Sequence, residues 1–123
     1  MNARFREILE RARRRPLSVE SRPYVDGLSS RYHRYQTSAV KRSLEFALSY
    51  ASFCDLQRSP CYYCAREPAQ GVDRFNNALG YTDANAVPCC KSCNYMKHTQ
   101  SADAFVEQCR RVVRVYGDAA VST

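Results

Sequence analysis

Residues 61–98 read CYYCAREPAQ GVDRFNNALG YTDANAVPCC KSCNYMKH, and the rest of the chain is best understood outward from them. At the ends of this stretch stand Cys61/Cys64 and Cys90/Cys93, two CxxC units whose tight turns each bring two thiolates toward one tetrahedral ion. Two such units point to one structural Zn²⁺ per chain, held by Cys61, Cys64, Cys90 and Cys93. Four thiolates leave no open position, so this ion organises the fold and does no chemistry. Cys89 is read as a neighbour of the site, with an exchange of ligand between it and Cys90 left open. The 25 residues between Cys64 and Cys90 exceed what a simple ribbon needs, so the insert has a purpose of its own. Its Gly, Pro, Asn and Asp punctuation around Gln70 to Phe75 and Ala86 to Pro88 predicts a short hairpin holding a long irregular loop.

Upstream, Phe5, Ile8, Leu9 and Ala12 recur at i, i+3, i+4, i+7 and predict a helix over Asn2 to Arg15, ended by Pro16. Arg15 to Gly27 reads as an extended connector. Ser29 or Ser30 is the expected cap of a second, basic helix running to about Ser43, and Ser49 that of a third through Leu56 and Arg58. Cys54 in that helix is expected to be an inert thiol on its apolar face. Downstream, Ser101 caps a helix whose Phe105, Val106, Cys109, Val112, Val113 and Tyr116 form one apolar stripe, ending at Gly117. The organisation expected is a basic helix and connector over 1–28, a single domain over 29–116, and a flexible tail over 117–123.

The 123 residues carry 19 Lys+Arg against 12 Asp+Glu, a net charge of +7, and 16 of the cations are arginine. Residues 1–60 hold 12 of the 19 cations and 6 of the 12 acids, so the excess charge belongs to the first half. Arginine suits planar, bidentate contact with phosphate, which favours nucleic acid over an anionic membrane as partner. No apolar run approaches the ~20 residues that span a bilayer, and the Arg- and Glu-bearing start has no signal-peptide core. Seven cysteines without an export signal fit metal ligation and an intracellular, soluble protein better than a disulfide framework.

The two knuckles and the insert carry a further pattern: Cys61-Tyr62-Tyr63-Cys64, Val72-Asp73-Arg74-Phe75-Asn76-Asn77 with Gly80-Tyr81-Thr82, and Asn85 through Cys93-Asn94 to Lys97-His98. Together with Tyr32, Tyr35, Ala39, Arg42, Phe46, Leu48, Ser49 and Phe53 upstream, it resembles the zinc-knuckle branch of the HNH endonucleases, common in bacteriophages, large DNA viruses and mobile introns. The resemblance covers about residues 29–116. It implies a small α+β fold with a ββα-metal (His-Me finger) core, clipped by the four-Cys zinc site and flanked by helices. It further implies that Asp73 and Asn94 hold a catalytic Mg²⁺ or Mn²⁺, that Asn85 ties the loop by hydrogen bonds, and that Lys97 holds a phosphate. A hard cation needs only one or two protein oxygens, because water and substrate phosphate complete its shell.

Two positions depart from the family pattern. The general-base histidine of many HNH enzymes is replaced by Arg74, which cannot accept a proton at neutral pH and is free to clamp the scissile phosphate. Asn76 stands where the branch usually has Asp, removing a carboxylate. His98, four residues after Asn94, offers a substitute base if the helix continues, and metal-coordinated water offers another. Arg31, Arg34, Lys41 and Arg42 on the second helix, aided by Arg11, Arg13, Arg14 and Arg15 on the first, are expected to meet phosphates. Tyr32 and Tyr35 are expected to pack against the zinc core, and His33 to lie at the surface.

The resulting expectation is a metal-dependent HNH endonuclease that hydrolyses phosphodiester bonds in DNA by nicking or double-strand cleavage, including homing-type action. A phage- or virus-encoded protein of this kind would work in the cytoplasm or nucleus of a host cell. A homodimer is left open. The alternative is an HNH-fold nucleic-acid-binding module in which Arg74 and Asn76 have cost the activity.

Overall fold

A computed structural model describes residues 2–14 and 24–121. The helices are α1 (Ala3–Arg13), α2 (Leu28–Lys41), α3 (Tyr50–Arg58), α4 (Lys91–Lys97) and α5 (Ala102–Val121), with strands β1 (Val72–Arg74) and β2 (Ala86–Pro88) between α3 and α4. Arg15, Pro16 and most of the expected connector lie outside the described residues, as do residues 122–123 of the expected tail.

Local chemistry accounts for most boundaries. Asn2 Oδ1 accepts from the Arg4 and Phe5 amides and starts α1, and Ser49 Oγ accepts from the Ser52 amide and starts α3. The second helix begins earlier than its serines suggest. Gly27, at φ 65°, turns the chain into α2, and its carbonyl accepts from the Arg31 amide at 2.9 Å, so neither Ser29 nor Ser30 is the cap. At Gly117 the helical geometry of α5 breaks, but helical turns resume as far as Val121.

The two strands pair antiparallel, Val72 opposite Pro88, Asp73 opposite Val87 and Arg74 opposite Ala86. The Phe46 segment joins the far end of the loop through a parallel bridge to Tyr81. Tyr81 N donates to Glu45 O and Ala47 N to Tyr81 O, both at 2.8 Å. That approach requires a glycine before Tyr81, since a Cβ on Gly80 would lie 2.4 Å from the Glu45 carbonyl oxygen.

The core has two parts. One gathers Ala39, Leu48, Phe53, Val72, Tyr81 and Ala86, with Tyr32 and Tyr35 against it. Phe53 is fully buried there, which by itself contributes about 2–3 kcal/mol. The other gathers Cys61, Ala69, Cys89, Cys90, Cys93 and Phe105. Tyr32 and Tyr35 therefore pack on the first cluster, each edge-on to Phe53 at 5.3 Å, and not on the knuckles as the sequence suggested. Their hydroxyls are spent on backbone, Tyr32 donating to Leu48 O and Tyr35 accepting from the Val72 amide.

The apolar stripe of α5 is only half covered. Phe105 is buried, Val106 and Cys109 half-buried, but Val112, Val113 and Tyr116 are exposed, as is every residue from Arg110 to Tyr116. The helix outruns the body against which its first turns pack. No helix among the described residues is long and apolar enough to cross a membrane.

Candidate metal centre and cleft

The knuckles converge. The Sγ atoms of Cys61, Cys64, Cys90 and Cys93 all lie within 4.8 Å of one another, Cys64 and Cys90 at 3.6 Å. A tetrahedral ion with Zn–S bonds of ~2.3 Å sets its sulfurs ~3.8 Å apart, so the donor set and its spacing fit a four-thiolate metal. Backbone amides support the ligands: Cys90 N donates to Cys61 Sγ at 3.3 Å, and Cys93 N to Cys90 Sγ at 3.4 Å, the latter also capping α4. The Cys61 thiol is held down to about 4, first by a hydrogen bond from Cys89 and then, against the opposing cost of burial, by amides of the knuckle. Cys89 is correspondingly pushed up by donating to Cys61 and by burial. Cys89 stands outside the group of four whose sulfurs converge, as a buried neighbour of the site. Burial also raises Cys64 and Cys93.

The register of α4 distributes its side chains between two tasks. Cys93 and Lys97, four apart, face inward and are buried, while Asn94 and His98, one step on, are exposed to a cleft. That cleft, of about 810 Å³, is lined by Asp73, Arg74 and Asn77 from the hairpin side, Asn94, Tyr95, His98 and Thr99 from α4 and its end, and Tyr35, Ser38 and Arg42 from α2 and its end. Asp73 and Asn94 thus reach one cavity from the strand and the helix, a carboxylate and an amide oxygen as a hard divalent cation needs.

His98 is not helical. It ends α4 at φ 51° and ψ −123°, and it meets the cleft from that cap position. Just beyond this end, Asn77 Nδ2 donates to the carbonyls of Thr99 and Gln100 and ties the chain to the hairpin loop.

The remaining residues take definite places. Asn85 Oδ1 accepts from Asn76 N at 2.8 Å, and its Nδ2 donates to Asn76 O and Gly80 O. Asn76 uses its own Oδ1 on the Ala78 amide. Arg74 Nη1 donates to the carbonyls of Asn77 and Leu79, with the guanidinium 5.8 Å from the Tyr81 ring centroid. Arg42 donates to the Tyr81 hydroxyl at the rim, and Arg34 and Lys41 are exposed. Arg31 is occupied structurally, its guanidinium on the Asp26 and Gln70 carbonyls. On and just beyond α1, Arg13 pairs with Asp55 and Arg14 with Glu10.

Lys97 departs most from the sequence reading. Instead of facing a phosphate at the surface it is fully buried, with Nζ 3.1 Å from Asp73 Oδ2 and 3.3 Å from Asn77 Oδ1. Tyr63, inside the first knuckle, donates to the same Asp73 Oδ2 at 2.9 Å, and burial and the carboxylate push its phenol well above the usual range. Sequence reasoning gives Tyr63 and Asn77 no role, although both stand in the motifs that carry the resemblance.

No family model matches the chain. It is 38% identical over 91 residues to an uncharacterized protein (R423) of Acanthamoeba polyphaga mimivirus; the match takes in 72% of this chain but 17% of that protein's length. Among solved structures it is similar to the rare-cutting HNH restriction endonuclease PacI, with a TM-score of 0.56, 21% identity, and 86% of this chain and 87% of that one covered. The fold is thus similar to that of this HNH endonuclease: a small α+β domain with a two-stranded hairpin, a following helix and a four-Cys cluster able to hold a metal.

Proposed function

We propose that the chain is a metal-dependent HNH endonuclease that hydrolyses phosphodiester bonds in DNA, with one structural zinc on its two knuckles. The observation that carries this reading is the meeting of Asp73, Arg74, Asn94 and His98 in one cleft rimmed by Arg42. Likeness of fold to an HNH restriction endonuclease supports it.

Asp73 and Asn94 would hold a Mg²⁺ or Mn²⁺ ion. Bound there, the ion supplies charge stabilisation to the leaving 3′ oxygen and the scissile phosphate. His98, exposed at the cleft, takes the proton of the attacking water, a role that Arg74 cannot fill. Arg74 keeps its Nε and Nη2 donors for a phosphate oxygen while Nη1 anchors it to the loop. Arg42 at the cleft, with Arg34 and Lys41 exposed on α2, binds backbone phosphates without reading sequence.

A plasmid-nicking assay with Mg²⁺ and with Mn²⁺ tests the proposal. Wild type should convert supercoiled DNA to nicked or linear forms, and Asp73→Ala should not, with zinc content and DNA binding retained. Asp73 is already matched by Lys97 and Tyr63 without a second metal, which favours the binding module as the other reading. Salt-sensitive DNA binding with no cleavage of duplex, single-stranded or branched DNA would decide for that module.

A further inference from the structure

Among the described residues Lys97 is the one cation that is fully buried, and a buried ammonium persists only where its charge is matched. Its match is Asp73, at 3.1 Å to Oδ2 and 3.4 Å to Oδ1, with Asn77 Oδ1 at 3.3 Å. Asp73 lines the cleft and Lys97 does not, so Asp73 is the member of the pair that the cavity meets. The two carboxylate oxygens are unequally occupied. Oδ2 receives both the Tyr63 hydroxyl at 2.9 Å and the nearer approach of Lys97, whereas Oδ1 has only the longer one.

We propose that Lys97 is a positioning residue that acts through Asp73: with Tyr63 it fixes Oδ2, leaves Oδ1 for a divalent cation on the cleft side, and by its own charge keeps the affinity for that cation low. The inference rests on the metal-site reading above. Removing the ammonium has two opposed effects, a loosened carboxylate and the relief of cation–cation repulsion across it. Tyr63 still holds Oδ2 when Lys97 is gone, and repulsion at this short range in a partly desolvated site is strong, so the second effect wins. A weakly held ion is one that enters together with the substrate phosphate, which supplies the missing negative charge.

Titration of Mn²⁺ into zinc-loaded, DNA-free protein, followed by the resonance signal of free Mn²⁺, tests this. Lys97→Met and Lys97→Gln should bind Mn²⁺ about tenfold more tightly than wild type or better, while Lys97→Arg, which keeps the charge, stays within about threefold. A merely structural lysine would weaken the site when replaced, or leave it unchanged, and either result for the neutral variants overturns the inference. Lys97→Gln retains a hydrogen-bond donor and covers the case in which Lys97→Met fails to fold, judged by zinc content. A second measurement needs no variant: the side-chain ammonium resonance of Lys97 in ¹⁵N-lysine protein should shift as Mg²⁺ is added, and constancy at saturation overturns the proposal. Asp73→Ala separates the two readings. If wild type binds no Mn²⁺ that Asp73→Ala loses, the metal site itself falls and this inference with it; if it does bind but the neutral variants do not tighten, only the inference falls.

Discussion

Asn85 Nδ2 donates to Gly80 O at 2.8 Å inside the loop between the strands, while its Oδ1 takes the Asn76 amide at the same distance. One buried side chain thereby closes the loop over residues 75–85, whose backbone would otherwise bury unpaired groups. Asn85→Ala leaves Asn76 N and the Asn76 and Gly80 carbonyls without these partners, and should cost about 3 kcal/mol in denaturant unfolding with zinc content unchanged. A loss under ~0.5 kcal/mol would show that the loop holds without this residue.

The knuckles lead to a second outcome. Zinc should co-purify at one per chain, and Cys61→Ser or Cys93→Ser should unfold the protein, because the about 10–16 kcal/mol that such a site supplies rivals the whole stability of a small domain. Cys61 is held near 4 and is ionised at neutral pH, whereas burial keeps protons on Cys64 and Cys93 in the absence of metal. Metal uptake must expel those protons, so zinc affinity falls as pH falls. Competition with a chromophoric chelator between pH 8 and 6 measures it, and a pH-independent affinity contradicts it.

The knuckles were legible in the sequence because their ligands sit three residues apart and need only a local turn. The hairpin was legible for a similar reason, since the Gly, Pro, Asn and Asp around Gln70 to Phe75 and Ala86 to Pro88 act locally. What the sequence hid depends on distance along the chain. Lys97 follows Asn94 by three residues and looks like its companion on a surface; only the docking of α4 on β1 turns Lys97 inward to a carboxylate 24 residues away. The α5 stripe shows the converse failure, since periodicity marks an apolar face without saying what lies opposite. Tyr32 and Tyr35 were correctly placed in a core, but which core depended on the Phe46–Tyr81 bridge, a pairing of residues far apart in the chain.

DNA affinity should fall steeply with salt. Arg34, Lys41 and Arg42 are exposed on or beside α2, and Arg42 reaches the cleft, so replacing all three by Ala should flatten the slope of log affinity against log salt by up to about 0.9 for each phosphate no longer neutralised. Arg31→Ala belongs in a different class, because its guanidinium holds the Asp26 and Gln70 carbonyls and its removal should register in stability. Fluorescence anisotropy on a labelled duplex, over a salt range of about 50 to 200 mM, separates them, and a slope unmoved by the triple variant removes α2 from the interface.

His98 combines backbone strain with the role of proton acceptor proposed for it. At φ 51° and ψ −123° it holds a backbone conformation that non-glycine residues rarely adopt, at a cost of about 1–3 kcal/mol, and it does so where it shares the cleft with Asp73 and Asn94. Were the position only a helix end, glycine would serve better. His98→Gly should therefore raise stability by about 1 kcal/mol while removing the proposed proton acceptor. His98→Ala removes the ring but keeps the strain, and should slow cleavage ~10²-fold or more with DNA affinity and zinc content unchanged, the range expected for losing a general base. Added imidazole should restore part of the rate in both variants. Cleavage by His98→Ala at the wild-type rate would show that the base lies elsewhere, and a His98→Gly protein no more stable than wild type would show that the cap geometry is relaxed in solution.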